Sequence, residues 1–298
     1  MQQSQAPPVG PSVGLVTYAR LPQGAPDDAL LVAALAARGL VARPLVWDDP
    51  GVDWAAVPLC VIRSTWDYHL RRAAFLAWAT RVAAVTALWN PAPLVRWNTH
   101  KSYLRDLAAR GVPTVPAVWL PAGTPADLAA ILAAQGWESA VVKPAVGADS
   151  HGAQVVTPET RAAGQAHLAR FLAGQDMLVQ PFLDSIDSYG ERSLIYIDGV
   201  LTHAVRRHPL PRTPGAGPSA APAPLVPVAA GEAALGTQVL AALDLRPLYA
   251  RVDLVRDGAG TPRVLELELV EPSLFFAQAP AAATQLAAAI TACIPGGA

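Results

Sequence analysis

The chain has 298 residues, is 52% hydrophobic and 15% charged, and sets 22 Lys and Arg against 23 Asp and Glu for a net charge of −1. That composition supplies a sizeable core shared among two or three lobes, and it leaves no strongly basic face for nucleic acid. Cys60 and Cys293 lie far apart in apolar surroundings and form no metal-spaced motif, so they read as reduced core thiols of a cytoplasmic protein.

The first residues, MQQSQAPPVGPS, lack the basic-then-apolar order of a leader, and 1–11 reads as a disordered lead-in. Residues 12–97 alternate as an α/β domain: a strand over 13–18, a helix over 27–38 that stops at Gly39, then strands in LVARPLVW and LCVIRS. This order predicts a parallel sheet, whose ligands gather at the carboxyl ends of its strands. Ser64, Thr65, Trp66, Asp67 and Tyr68 fall at that edge.

A second unit, 98–184, starts with a helix over 98–110 bearing Lys101 and the proline-rich GVPTVPAVWLPAG, a linker or domain seam. It continues as a strand over 140–146, a small-residue loop, a strand over 153–156, a helix over 161–173 and a strand over 177–183. In the third, 185–298, ERSLIYIDG and LTHAVRR form a hairpin about Asp198-Gly199. Residues 209–228, PLPRTPGAGPSAAPAPLVPV, hold neither helix nor sheet and read as a lid, a binding loop or disorder.

A helix over 231–242, a strand over 249–255, a turn at 257–260 and a strand over 263–270 follow. The apolar tail from Phe275 is broken by Gln278, Pro280, Thr284 and Gln285, which suits an amphipathic closing helix, serving a dimer or its own core, and not a membrane span.

Three features carry chemistry. Lys101 and Lys143 are the only lysines, and the ammonium group is a compact charge suited to phosphate oxygens. The loop after Lys143, VVKPAVGADSHG, can present backbone N–H groups to an anion; it also fits a plain turn. Glu266 and Glu268 project from one face of a strand, and Asp253 can join them from an antiparallel neighbour. Alternating Leu and Glu is also the pattern of a half-exposed strand, but three carboxylates on one face repel unless cations, Mg²⁺ among them, neutralise them.

In order along the chain, NTHKSYL, VVKPAVGADSHG, VQPFL, GERSLIYIDG, AVRRHP, RVDL and ELELVEPSLFF resemble the ATP-grasp superfamily of carboxylate–amine ligases. With IRSTWDYHLR, the chain is most similar to the O-ureido-serine cyclo-ligase branch. The resemblance implies an ATP-grasp architecture, with an N-terminal α/β domain ahead of two α+β subdomains that clasp ATP.

It further implies Lys101 and Lys143 on the α- and β-phosphates, with Gly147, Ser150, His151 and Gly152 in a loop closing over the β- and γ-phosphates. Gln180, Phe182 and Leu183 would line the adenine, hinge main-chain groups would read its edge, and Glu191 would lie near the ribose. Asp253, Glu266 and Glu268 would hold magnesium; the family often has asparagine where Glu268 stands.

Arg206, Arg207 and Arg251 are candidates for gripping the transferring phosphoryl and the substrate carboxylate, or are salt-bridged strand arginines. Thr65, Trp66, Asp67, Tyr68, Glu271 and Ser273 are candidates for an acceptor pocket; alternatively Trp66 and Tyr68 pack between lobes while Asp67 caps a helix starting near His69. Ser193 replaces an arginine of glutathione synthetase-like relatives, which argues against a glutathione-like substrate.

The expected activity is activation of a carboxylate as an acyl phosphate for attack by an amine, on a small amino-acid derivative, between two molecules or within one. A regulatory nucleotide-binding module and a peptide-modifying ligase are the alternatives.

Overall fold

The computed structural model describes residues 11–148, 150–208, 210 and 223–294. Most of the lead-in, and of the 209–228 segment expected to be a lid or disorder, therefore lies outside the described residues.

Among the described residues, three four-stranded sheets organise the chain. The first is wholly parallel, in the order β2 (Val41–Val46), β1 (Ser12–Thr17), β3 (Leu59–Ser64), β4 (Ala87–Trp89). Every residue of β3 is buried, the continuous apolar signature of a strand covered on both faces. Helix α1 (Asp28–Ala36) connects β1 to β2, and α2 (Arg72–Ala83) lies between β3 and β4.

The connection onward is built from α3 (Ala92–Asn98) and α4 (Tyr103–Ala109), and here expectation and structure differ. Residues 98–110 are not one helix: a turn over 99–102 separates two short ones, and Lys101 sits in that turn. Side-chain demands explain the break. The Asn98 amide donates to the Leu267 carbonyl at 2.8 Å and accepts from the Leu269 N–H at 2.8 Å, and the Lys101 N–H donates to the Ala145 carbonyl at 2.7 Å.

The second sheet, antiparallel, runs β5 (Val118–Leu120), β8 (Met177–Pro181), β6 (Ala140–Pro144), β7 (Gln154–Val156). Helices α5 (Leu128–Gln135) and α6 (Arg161–Leu172) share a core with it through Leu128, Leu132, Leu168 and Leu172. Strand β5 lies inside the segment expected to be a linker or domain seam; its prolines flank the three residues that pair with β8.

A short helix, α7 (Ser185–Ser188), leads to the third sheet, ordered β10 (Val200–Arg207), β9 (Glu191–Ile197), β11 (Tyr249–Arg256), β12 (Pro262–Glu268). Asp198 and Gly199 take φ of 53° and 81°, the left-handed pair expected of the tight hairpin. Helix α8 (Ala230–Ala241) covers part of this sheet, and α9 (Pro280–Ala292) packs against α1. The closing helix thus serves its own chain's core: Leu286 and Ile290 join Leu31, Leu35, Ile195 and Tyr249 in one buried cluster. Each such aliphatic side chain contributes about 1.5–3 kcal/mol on burial.

Candidate active site

A cleft of about 240 Å³ is lined from all three sheets: Trp66 and Tyr68 beyond β3, Lys143 and Gln180 from the second sheet, Arg207, Arg251, Glu266 and Glu268 from the third. Register assembles its floor. Arg251 pairs with Glu268 and Asp253 with Glu266 across β11 and β12, and period-two alternation puts all four on one face.

The two lysines converge on one carboxylate. Lys101 Nζ lies 2.7 Å from Glu266 Oε1 and Lys143 Nζ 3.9 Å from Oε2, although 42 residues separate them in sequence. Burial works to raise the Glu266 pKa, but the two ammonium groups outweigh it and hold the group down at about 2. Burial pulls both ammonium pKa values down. For Lys101 the contact with Glu266 overcomes it and the pKa rises; for Lys143, farther from Glu266 and beside the Lys101 charge, it falls.

The neighbouring acids behave oppositely. Burial, with Asp253 and Glu266 nearby, raises Glu268 to about 7 in spite of the Arg251 guanidinium bonded to it. Burial and the Glu268 charge hold Glu271 well above the ordinary carboxylate range. Asp253 lies beneath, fully buried: Ser193 Oγ donates to it at 2.6 Å, Arg251 Nε at 2.9 Å and Arg207 Nη1 at 3.5 Å. Arg207 also reaches Glu191 at 3.0 Å on the cleft wall.

The loop expected to meet phosphate runs along the cleft with Gly147, Ser150 and His151 in its lining. Lys101 Nζ donates to the Gly147 carbonyl at 3.2 Å. Gly152 does not line the cleft; with φ of +70° and Pro144 and Phe171 where a Cβ would sit, it serves the turn. Phe182 and Leu183 also line the cleft with Gln180, whose Oε1 is buried with no hydrogen-bond partner among the described residues. The Phe182 N–H donates to the Ser139 carbonyl at 3.0 Å, so that hinge group is committed within the sheet.

Several expectations need correction. Arg206 points to the other face of β10, donating to the Ser188 carbonyl at 3.1 Å and folding over Gly190, because adjacent strand residues cannot share a face. Asp67 does not line the cleft; it stands at the N-cap position of a short 3-10 helix, Tyr68–Leu70, without a side-chain cap bond, and accepts from Trp47 Nε1 at 2.9 Å and from Arg71 at 2.7 Å. Thr65 is fully buried outside the cleft lining.

Glu271 and Ser273 do line the cleft, and the Glu271 carbonyl accepts from Trp66 Nε1 at 3.1 Å. Among the described residues, no three acidic, His or Cys side chains converge to cage a metal. The expected triad is divided instead: Glu266 between lysines, Glu268 on Arg251, Asp253 buried under two arginines. Reading the sequence missed Asn98, Tyr103 and His208, all of which line the cleft. Asn98 stands three residues before Lys101, too short a run for any periodic signal.

Comparison with known proteins fits this geometry. The family described as "D-cycloserine synthetase DcsG, N-terminal domain" matches residues 13–90. The chain is 39% identical over 257 residues, covering 82% of it and 86% of the relative, to the cycloserine biosynthesis protein DcsG of Streptomyces lavendulae. The crystal structure of D-cycloserine synthetase DcsG is similar with a TM-score of 0.86 at 36% identity, over 94% of this chain and 98% of that one. A RimK domain ATP-grasp protein from Sphaerobacter thermophilus shares the fold, with a TM-score of 0.67 at 20% identity over 96% and 100% of the two chains.

Proposed function

Because this chain belongs to the DcsG branch of the ATP-grasp carboxylate–amine ligases, enzymes that form C–N bonds, we propose that it consumes ATP to close a ring within a small amino-acid derivative, a reading supported by its likeness to a protein named D-cycloserine synthetase. The observation that carries the reading is the meeting of Lys101, Lys143 and Glu266 in the cleft.

In this reading a substrate carboxylate oxygen attacks the γ-phosphorus and ADP leaves, giving an acyl phosphate. A substrate nitrogen then attacks the carbonyl carbon and loses its proton, and phosphate departs as the C–N bond forms. The protein's contribution is positioning, charge neutralisation and exclusion of water. Lys101 and Lys143 take the phosphate oxygens, and the amides of the loop about Gly147 and Ser150 approach the terminal phosphates. The unpartnered Gln180 oxygen suits the amino group of adenine. Arg207 and Arg251 face the transferring group, and Trp66, Tyr68, Glu271 and Ser273 shape the acceptor side.

Mg²⁺ needs only one or two carboxylates when phosphates and water complete its shell, so the absence of a three-acid cage does not disqualify it. Glu268, unsettled by its acidic neighbours and only partly answered by Arg251, has the chemistry to hold it, with Glu266 beside it. When bound, the ion screens the phosphate charge. We assign the acceptor side to 12–97 and the nucleotide clasp to 98–184 and 185–298, and place the enzyme in the cytoplasm; among the described residues no helix is long and apolar enough to cross a membrane.

The test is phosphate release from ATP and Mg²⁺ with a panel of amino acids that includes both enantiomers of O-ureido-serine. Substrate-dependent release is expected, falling at least about 100-fold in Lys143→Ala. ATP binding without release from any member of the panel would favour a regulatory nucleotide module.

A further inference from the structure

The segment 271–277 is gripped by the N-terminal lobe at charged groups that the chemistry above does not use. Glu271 and Ser273 line the cleft, and the residue between them, Pro272, turns its carbonyl to Arg63, whose Nη1 donates to it at 3.5 Å. Arg63 is the penultimate residue of the buried β3 and is itself only 3% exposed, so its guanidinium does not reach substrate. Its Nε donates to Asp28 Oδ1 at 2.9 Å, and its charge lies 5.5 Å from the ring centre of Tyr249 and 5.7 Å from that of Phe276. Next to Asp28, Asp27 accepts from the Phe276 N–H at 3.0 Å and the Ala277 N–H at 2.9 Å. The start of α1 therefore holds the segment twice, through Asp27 directly and through Asp28 by way of Arg63.

This arrangement is poorly explained as stabilisation. A guanidinium and a carboxylate buried together recover little beyond their desolvation, and an apolar pair of the same volume would serve stability as well or better. The second oxygen of Asp28 has no hydrogen-bond partner among the described residues. What a charge pair supplies and an apolar pair does not is direction: a fork bonded to Asp28 can aim its remaining N–H at one carbonyl. That carbonyl sits between two cleft residues. Phe275, at φ of 53°, turns the chain between the Arg63 and Asp27 contacts in a conformation that a bulky residue adopts only under restraint.

We propose that Asp27, Asp28 and Arg63 are positioning residues for the reaction, fixing the segment 271–277 so that Glu271 and Ser273 meet the amino-acid substrate, with no part in holding the nucleotide. The inference rests on the function proposed above and adds to it the device that sets the acceptor side.

The test compares wild type with Asp27→Ala and Arg63→Lys. Asp27 is only half-buried, so its variant folds irrespective of any sensitivity at Arg63. Steady-state kinetics are measured with the amino acid that supports phosphate release, varying it and ATP in turn. Both variants should raise KM for the amino acid about 10-fold and leave KM for ATP within 2-fold, and Asp27→Asn should recover part of the loss in Asp27→Ala. Hydrogen exchange at Phe276 and Ala277 should speed up in Asp27→Ala, with 101–152 unchanged.

Equal rises in both KM values, or amino-acid KM values within 2-fold of wild type, overturn the inference and leave the ligase standing. A wild-type protein that releases no phosphate with any amino acid removes the ligase reading and this inference with it.

Discussion

The cleft has a lysine side and an arginine side, and the two differ more than their spacing on one strand suggests. Glu266 and Glu268 are two residues apart on the same face of β12, yet one carboxyl is held at about 2 and the other driven up to about 7. On the lysine side, one acid serves two ammonium groups, so positive charge is in excess and partly free to meet an incoming anion. On the arginine side Arg251 and Arg207 answer three acids, Asp253, Glu268 and Glu191, so negative charge is in excess. The cleft is thereby polarised before any nucleotide enters: one end is short of anions, the other of cations. A metal-bound triphosphate offers both.

Removing the central cation on each side should sharpen this difference. Arg251→Met leaves two acids without their shared partner, one of them fully buried, and breaking such a pair costs about 3–5 kcal/mol. The melting temperature should fall by about 10 °C. Lys143→Met removes an ammonium whose pKa is already depressed and leaves Glu266 with the closer Lys101, so the loss should be below about 1 kcal/mol although activity disappears. Thermal melts of the unliganded variants check this, and equal losses on both sides would contradict the polarised cleft.

The acids should also respond to pH with opposite signs. Glu268 is raised from 4.5 to about 7, so the folded state binds its proton where the unfolded chain has released it. Its contribution is complete below pH 4.5 and lost as pH rises toward 7. Glu266 is depressed to about 2, so its contribution is present above pH 4.5 and lost as pH falls toward 2. Urea titrations from pH 3 to 8 should show Glu268→Gln flattening the segment from about pH 4.5 to 7 by roughly 3 kcal/mol, and Glu266→Gln flattening only the acid limb. The same slope in both variants would mean that the acids share one environment.

These charges were legible to different degrees. Lys101 and Lys143 stand out because the chain has no other lysine, and Glu266 and Glu268 because a strand repeats every second residue. The hairpin at Asp198-Gly199 could be read because its left-handed φ values restrict the residue choice. What could not be read depends on a distant partner. The same pleat admits either Arg206 or Arg207 to the cleft, and only packing of Arg206 over Gly190 decides between them. Strand β5 exists because β8 lies beside it, and its own three residues between prolines carry no period. Asn98 and Arg63 act through backbone atoms of residues more than 160 positions away, and nothing local marks them.

The smallest effect concerns the two loops that border the polarised cleft. The 271–277 segment is bonded to Trp66, Arg63 and Asp27 of another lobe, so it is already ordered without ligand. The loop after Lys143 is bonded largely within itself, His151 N–H to the Ala148 carbonyl at 2.9 Å and Ala153 N–H to the Ser150 carbonyl at 3.0 Å. Among the described residues its outward ties gather at its two ends, through the Ala145 backbone to Lys101 and Asp176, Lys101 to the Gly147 carbonyl and His167 to the Gly152 carbonyl, with the ring of His151 against that of His69 at 4.9 Å between centroids. A triphosphate that draws Lys101 away from Gly147 and supplies acceptors for the loop's N–H groups should order this loop and leave the other as it was. Hydrogen exchange with and without a non-hydrolysable ATP analogue should show several-fold protection over 145–152 and less than 2-fold change over 271–277. Protection of equal size at both loops would mean that nucleotide closes the whole cleft, and the division between an ordered acceptor side and an adjustable phosphate side would fall.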